Sequence, residues 1–519
     1  MKCAIEQAHA ALVSGNPEEA RRLAQAVQAV LPDYLDAQGI IAAADYEQGC
    51  YKQAAAGFRQ ALALLRAKPN PSSKDMAQYE HNLATALENS NDMNGAEAHY
   101  RQALIAQPHR PETVAQLSAM LRNMGRADEA LAMNELAVHH APDNPVLLYS
   151  LGCTLSQLGK IGQAMLLYQS AIALKPDMHE AHSNLGICHL SRGEFNPGWD
   201  LFEWRWQSPQ LKNSWANFPA PLWNGDDLGD RILMIWAEQG LGDSIQFVRY
   251  LALLRQRFPD AGFVFWGQPT LLRLFERFAK HYRITLMSNK MAPKPAHIRG
   301  MDCHVPLMSL PRLMGTRLDT IPALPEVYLE LDPAWINFWR ERLQQLDSVE
   351  RPANAIRPLN VGLVWSGSPH LLAATKRNLK LAMLESWSDI PNIRWFSLQI
   401  GDEAIAEIPT SRWQHQLVDW TADLEDFADT ASLAAALDLV ISVDTSTAHA
   451  ASAVGAPVWM LSRFDGCWRW LQDRDDSPWY PKMRIFRQSQ HGDWQDVIVS
   501  VNMALKEYMA SIKTSAMTL

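Results

Sequence analysis

Apolar and small residues in the first part of the chain recur in a regular pattern, each block broken by a glycine or asparagine and most closed by a proline. Gly15, Asn16, Pro17 and Ala20 are followed by Val27 and Pro32. Gly49, Ala54 and Ala61 come next, then Leu83, Asn91, Ala96, Ala103 and Pro108. Leu117, Gly125, Ala130, Ala137 and Pro142 repeat the series, as do Leu151, Gly159, Ala164, Ala171 and Pro176. Gly125 and Gly159 lie 34 residues apart, as do Ala137 and Ala171. One interval, Ala54 to Ala96, is eight residues longer, and the polar stretch Ala67 to Lys74 accommodates the excess as an extended loop. Small residues such as Ala130 and Ala164 let paired helices approach. A glycine or asparagine at 91, 125 and 159 ends the first helix of a pair in a left-handed turn, and the proline stops the second.

A 34-residue helix-turn-helix period is that of tetratricopeptide repeats. The array is expected to span residues 1–205. A sixth, partial repeat carries Leu185 and Gly193, then diverges at Asn196-Pro197-Gly198-Trp199, as a terminal capping repeat does. Such a solenoid presents a concave surface for a protein or peptide. A scaffold that only supports the next domain, or dimerises, fits the same residues.

Beyond a linker at 206–229 the pattern becomes that of alternating strands and helices. Arg231 to Ala237 reads as a buried strand, Glu238 to Asp243 as a glycine-containing turn, Ser244 to Arg257 as a helix, and Gly262 to Gly267 as a second strand. That is a βαβ unit. A second set begins with the strand Asn360 to Trp365 and the loop Ser366-Gly367-Ser368, followed by a strand at Ile393 to Leu398. Leu437 to Val443 reads as a strand, Asp444 to Thr447 as a turn, Ala448 to Val454 as a small-residue helix, and Pro457 to Leu461 as a strand. The predicted fold is therefore a helical solenoid followed by α/β, with one Rossmann-like lobe at 230–345, a second at 346–500, and a C-terminal helix and tail at 501–519. A cleft is expected between the lobes, with ligands at the carboxyl ends of the strands.

Composition narrows the classes. The 519-residue chain has a formal charge of −9 and a pI near 6.0, without the clustered basic face of a nucleic-acid binder. No apolar run reaches bilayer length, and no secretory signal opens the chain. The six cysteines form no metal-ligand spacing. A cytoplasmic protein with reduced thiols is expected. All 19 tryptophans lie from Trp199 onward.

Both polar turns carry candidate chemistry. The turn at 444–447 opens a helix whose free N–H groups favour an anion. Thr445, Ser446, Thr447 and His449 add donors, and Asp444 is expected to cap the helix. The turn at 240–243 sets Asp243 at a helix start, where an aspartate is favoured in any case. Its functional reading is a general base acting on a hydroxyl. In the tail, Arg469 and Arg487 suit a diphosphate, and Trp468 and Trp479 suit a base or sugar. A packed aromatic loop is the plainer reading of that segment. Asp473-Arg474-Asp475 has D-x-D spacing, but no metal site is assigned to it.

The segments Glu238-Gln239-Gly240-Leu241-Gly242-Asp243 and Val443-Asp444-Thr445-Ser446-Thr447-Ala448-His449 resemble the heptosyltransferase family and its relatives fused to tetratricopeptide repeats. The resemblance implies a GT-B fold and an inverting, metal-independent glycosyltransferase using a nucleotide-sugar as substrate, with no cofactor. It implies that Asp243 is the catalytic base, with Gln239, Gly240 and Gly242 on the acceptor-side loop. Asp444, Thr445, Ser446, Thr447 and His449 would lie at the donor diphosphate, with one basic residue among Lys376, Arg377 and Lys380. The array makes a protein acceptor, such as a surface or flagellar protein, plausible in place of a lipopolysaccharide. The competing reading is a non-catalytic tetratricopeptide scaffold with a degenerate transferase domain.

Overall fold

The computed structural model describes residues 2–208, 211, 218–290, 300–322, 325–350, 357–368 and 377–517. It divides into two compact units, Met1–Asp177 and Met178–Leu519.

The first unit is all helical, running from Lys2–Val13 to Ile161–Leu174, with consecutive helices packed in pairs. The small residue at the matching place in each second helix, Ala20, Ala54, Ala96, Ala130 and Ala164, has no exposed surface. There it lets the paired backbones meet. The residue ending each first helix is left-handed: φ is 77° at Gly15, 76° at Gly49, 68° at Asn91, 80° at Gly125 and 74° at Gly159. Caps follow local chemistry. Asn16 and Asp92 accept from the N–H of Glu19 and Gly95, at 3.2 and 3.0 Å. The eight extra residues do not all enter a loop, because they also lengthen the flanking Tyr51–Arg66 and Ser73–Asn89 helices.

The second unit opens with the sixth helical pair, His179–Ser191 and Phe195–Phe202. Gly198 takes the place that alanine holds in earlier repeats. A Cβ there would come within 2.7 Å of Leu190 Cδ2, and one on Gly186 within 2.8 Å of the Phe202 nitrogen. The apparent divergence at Asn196-Pro197-Gly198 thus preserves the packing rule. This pair is fastened to the α/β region: Trp199 Nε1 donates to the Thr316 carbonyl at 3.0 Å, and the Gln472 N–H donates to the Ser191 carbonyl at 3.0 Å.

Two parallel sheets follow. The first contains β1 (Ile232–Trp236), β2 (Gly262–Gly267), β3 (Ile284–Ser288) and β4 (Cys303–Pro306), in the order β3-β2-β1-β4. The second contains β5 (Leu359–Val364), β6 (Ile393–Ser397), β7 (Leu417–Asp419), β8 (Leu439–Val443), β9 (Val458–Ser462) and β10 (Met483–Arg487), in the order β10-β9-β8-β5-β6-β7. That is the doubly wound order, whose reversal point lies between β5 and β8. Pairing there is in register from Val361↔Leu439 to Val364↔Ser442. β5, β8 and β9 are buried throughout, as parallel strands covered on both faces must be.

Three features differ from the sequence reading. The helix expected over 244–257 is two, Leu241–Phe247 and Tyr250–Arg257, broken where the Arg249 side chain turns back and donates to the Gln246 carbonyl at 2.8 Å. The lobes are not parted by an open cleft along these helices. Leu241–Phe247 packs on Ser446–Ala453, and Ile245, Phe247 and Leu274 share one apolar cluster with Ala428, Ala431, Ala448 and Ala451. Alanine-rich helices make so close an approach possible. The C-terminal helix, Gln495–Met517, begins six residues before the expected 501, and it lies on the second sheet, where Trp387 Nε1 donates to the Ile498 carbonyl at 3.1 Å and Val501 and Leu505 enter the core.

The left-handed turns carry a direct test. Gly159→Ala should destabilise the array by about 1–2 kcal/mol, the cost of a left-handed Cβ. Gly159→Asn should cost less, since Asn91 already occupies the equivalent place. Urea titration followed by helical circular dichroism would check this, and equal losses for the two variants would contradict it.

Candidate functional site

The carboxyl ends of β1, β5, β8 and β9 each release a polar loop, and the second unit brings several of these loops together. After β1, Glu238 turns inward. Its side chain, 1% exposed, takes both Nε and Nη2 of Arg205 at 3.0 Å and the Met308 N–H at 2.9 Å. Arg205 also donates to Glu203 at 2.7 Å and to Ser309 at 2.9 Å, with its guanidinium 4.5 Å from the Phe202 ring and 4.6 Å from that of Trp206. Such full pairing offsets the cost of burying the charge. This network fixes the root of the Glu238–Asp243 loop, and nothing in the sequence pattern identified Arg205.

The rest of the loop is held by short contacts. The Gln239 carbonyl accepts from Gln268 at 2.9 Å while its side chain is exposed. The Gly240 N–H donates to Asp243 Oδ2 at 2.9 Å, so Asp243 caps its own helix. Asp243 Oδ1 receives Nη2 of Arg469, from the loop after β9. Gly242 lies against His449, since a Cβ there would stand 2.8 Å from the ring's Cδ2. Asp243 and His449, named separately from the two motifs, thus share one locus, with Arg469 between the lobes.

His449 is 5% exposed and bonds through Nδ1 to the Tyr480 hydroxyl at 2.8 Å. Burial pushes its imidazole down to about 3, opposed by Asp444 and reinforced by Arg469 and Arg249. It is a neutral core ring, not an exposed phosphate donor. Thr445, 9% exposed, shares a 3.1 Å hydrogen bond with Ser442, and Thr447 is 8% exposed. Ser446, half-buried, starts the Ser446–Ala453 helix.

Asp444 does not cap that helix, contrary to expectation. Thr445 is the N-cap, no side chain bonds to the first turn, and Asp444 accepts no hydrogen bond among the described residues. Its carboxylate instead acts electrostatically on Arg377, Arg469 and Arg487.

The basic candidates separate clearly. Arg377 lies over Gly367, where a Cβ would come within 2.3 Å of Nη2, and its buried Nε has no partner among the described residues. Burial holds its guanidinium below the usual range, with Asp444 opposing. Lys380 is exposed and paired with Glu407 at 3.0 Å, whose second oxygen accepts the Leu381 N–H at 2.7 Å. Lys376 lies outside the described residues. Arg487 lies over Gly466 and donates to the Leu471 carbonyl at 2.9 Å and that of Trp470 at 3.3 Å. Trp468 and Trp479 are 6% and 2% exposed and pack on Trp199, Phe195 and Phe247, leaving neither ring face open for a base or sugar. In the D-x-D segment, Arg474 turns to Asp476 at 2.7 Å.

A family model for tetratricopeptide repeats matches residues 149–195. Protein FlbA of Caulobacter vibrioides is 27% identical over 570 aligned positions, covering 96% of this chain and 91% of that protein. Among solved structures, YrrB, a TPR protein with an unusual peptide-binding site, is 20% identical over 34% of this chain and 88% of its own, with a TM-score of 0.27. MamA from Desulfovibrio magneticus RS-1 is 17% identical over 35% and 97%, with a TM-score of 0.27. The chain therefore carries tetratricopeptide repeats followed by a parallel-sheet α/β region, and its similarity to FlbA runs through both.

The buried His449 makes stability pH-dependent. Its folded pKa is about 3 against 6.5 for a free imidazole, so the unfolded chain binds the extra proton between those values. Stability should fall as pH drops through that window, by about 1.4 kcal/mol per pH unit for one proton. His449→Gln should flatten the slope by about that amount between pH 4 and 6. Urea unfolding followed by tryptophan fluorescence reports on this unit alone, since every tryptophan lies in it. An unchanged slope would contradict the assignment.

Proposed function

We propose that the α/β region transfers a sugar, with inversion, from a nucleotide-sugar to an acceptor hydroxyl, on a protein or peptide held by the repeat array. The observation that carries this reading is that Arg377, Arg469 and Arg487, from the loops after β5 and β9 and the end of β10, all come within electrostatic reach of Asp444 after β8. They act on Asp444, in the turn before a helix start that no side chain caps, next to the reversal point of a doubly wound sheet. Backbone N–H groups and arginines together favour a diphosphate. Gly367 and Gly466 leave the room in which Arg377 and Arg487 lie.

In this reading the region has the GT-B arrangement and the second lobe takes the donor. Arg377, Arg487 and the first turn of the Ser446–Ala453 helix neutralise charge on the departing diphosphate. The acceptor oxygen bonds to the anomeric carbon as the carbon–oxygen bond to the diphosphate breaks, and Asp243 takes the hydroxyl proton. A nucleoside diphosphate leaves. The repeat array, a tetratricopeptide solenoid, supplies the protein-binding surface. Similarity to FlbA along both parts suits a function that needs the two together.

One observation favours a second reading, a scaffold without catalysis. Both carboxylate oxygens of Asp243 are engaged, one by the Gly240 N–H and one by Arg469. An Asp243→Asn variant that folds normally and still supports full cellular function would favour the scaffold.

A thermal-shift screen against nucleotide-sugars and nucleoside diphosphates, with and without chelator, tests the transferase reading. One donor should raise the melting temperature regardless of chelator. Arg377→Ala should weaken its affinity about 10- to 100-fold, as loss of a charged hydrogen bond to phosphate does. No shift with any of them at millimolar concentration would overturn the reading.

A further inference from the structure

Arg469 is placed where two anionic stations compete for it. It is 8% exposed, and its guanidinium carbon stands 4.5 Å from the Trp468 ring and 5.7 Å from that of Phe247. Nη2 meets Asp243 of the first lobe, Nη1 donates to Cys467 Sγ at 2.9 Å, and Nε is buried without a partner among the described residues. The unsatisfied Nε is the informative atom. A buried guanidinium with one idle N–H is incompletely paired, so its present arrangement leaves a donor for a further acceptor. The Asp444 carboxylate is also close enough to act on its charge.

The loop that carries Arg469 is also strained. Leu471 adopts φ 50° and ψ 178°, a combination that only glycine occupies readily. Arg487 holds the loop there through the Trp470 and Leu471 carbonyls, and Arg487 itself reaches Ser462 Oγ at 3.4 Å, at the end of β9. The arginine that restrains the strained loop therefore belongs to the same basic group that would meet a diphosphate.

We propose that Arg469 is a positioning residue that holds the Asp243 carboxylate until a diphosphate displaces it, so that donor binding releases the base. The proposal rests on the transferase reading. Before donor binds, the ion pair holds Asp243 and the lobes share it. When the diphosphate takes the Arg469 guanidinium, Asp243 Oδ1 is freed beside the acceptor. It can then accept the hydroxyl proton as the glycosidic bond forms and the bond to the diphosphate breaks. The device explains why a base would be ion-paired at rest: without donor, nothing at the site can deprotonate water or acceptor. It also predicts an order, donor before acceptor.

Inorganic pyrophosphate is the probe, because it presents the diphosphate alone. Its binding to the full-length protein would be measured by isothermal titration calorimetry for wild type, Asp243→Asn, Arg469→Lys and the double variant. Asparagine keeps the cap on Gly240 but removes the competing charge. Asp243→Asn should therefore tighten pyrophosphate binding about tenfold, and the gain should depend on Arg469, whereas loss of a merely nearby negative charge would give the same gain with either residue at 469. In the Arg469→Lys background the same substitution should have a much smaller effect. Wild type that binds pyrophosphate with Asp243→Asn no tighter would overturn the displacement while leaving the transferase reading standing. Binding absent from both wild type and Asp243→Asn would overturn the two together. Because the decisive comparison needs only the isosteric Asp243→Asn, it does not depend on an Arg469 variant folding.

Discussion

Two short helices from different lobes, Leu241–Phe247 and Ser446–Ala453, can meet only because Gly242 has no side chain where it touches His449. Much of the second unit follows from that contact. It places Asp243 within reach of Arg469, sets the Asp444 turn beside the same guanidinium, and buries His449 as a neutral ring bonded to Tyr480. Any larger residue at 242 would wedge the helices apart and separate the two motifs.

The unit is pinned by buried arginines, each compensated differently. Arg205 is paired twice by carboxylates and tethers the loop after β1 to the segment that follows the last helical pair. Arg249, 2% exposed, has no carboxylate partner among the described residues; it is held by the Gln246 and Trp479 carbonyls and by the rings of Tyr328 and Tyr480, with its Nη2 idle. Arg469 has one carboxylate and an idle Nε. Removing a buried charge from water is costly, and only good pairing offsets it. The least completely paired of the carboxylate-bound arginines is the one most readily drawn to another anion. The function proposed for the site grows from this inequality.

The sequence was most informative where structure obeys a period. Gly15, Gly49, Asn91, Gly125 and Gly159 announced the left-handed turns because few other residues tolerate them. The buried strands β1, β5, β8 and β9 were legible as apolar runs ending in polar turns. The helix Pro333–Glu350 was overlooked, although Trp335, Trp339, Leu343 and Leu346 line one face of it at helical spacing. The site was legible only in part. Asp243, Thr445 and His449 were named from short motifs, but Asp243 and Arg469 are 226 positions apart, and no local pattern encodes their pairing. Asp444 looked like a cap because aspartate before a helix usually is one. In the fold the N-cap is Thr445, and Asp444 faces the charges of Arg377, Arg469 and Arg487, none of which lies near it in sequence. Trp468 and Trp479 pack into the fold's own aromatic core, the plainer of the two readings that their segment allowed.

The ion pair between lobes is the most direct thing to measure. A double-mutant cycle with Asp243→Asn, Arg469→Lys and the pair, read by urea unfolding through tryptophan fluorescence, isolates the interaction from the general cost of each substitution. The account predicts a coupling of about 1–3 kcal/mol, as expected for partly buried groups in contact. Additivity within about 0.5 kcal/mol would mean that the two side chains do not act on each other and that the lobes are not joined through this pair.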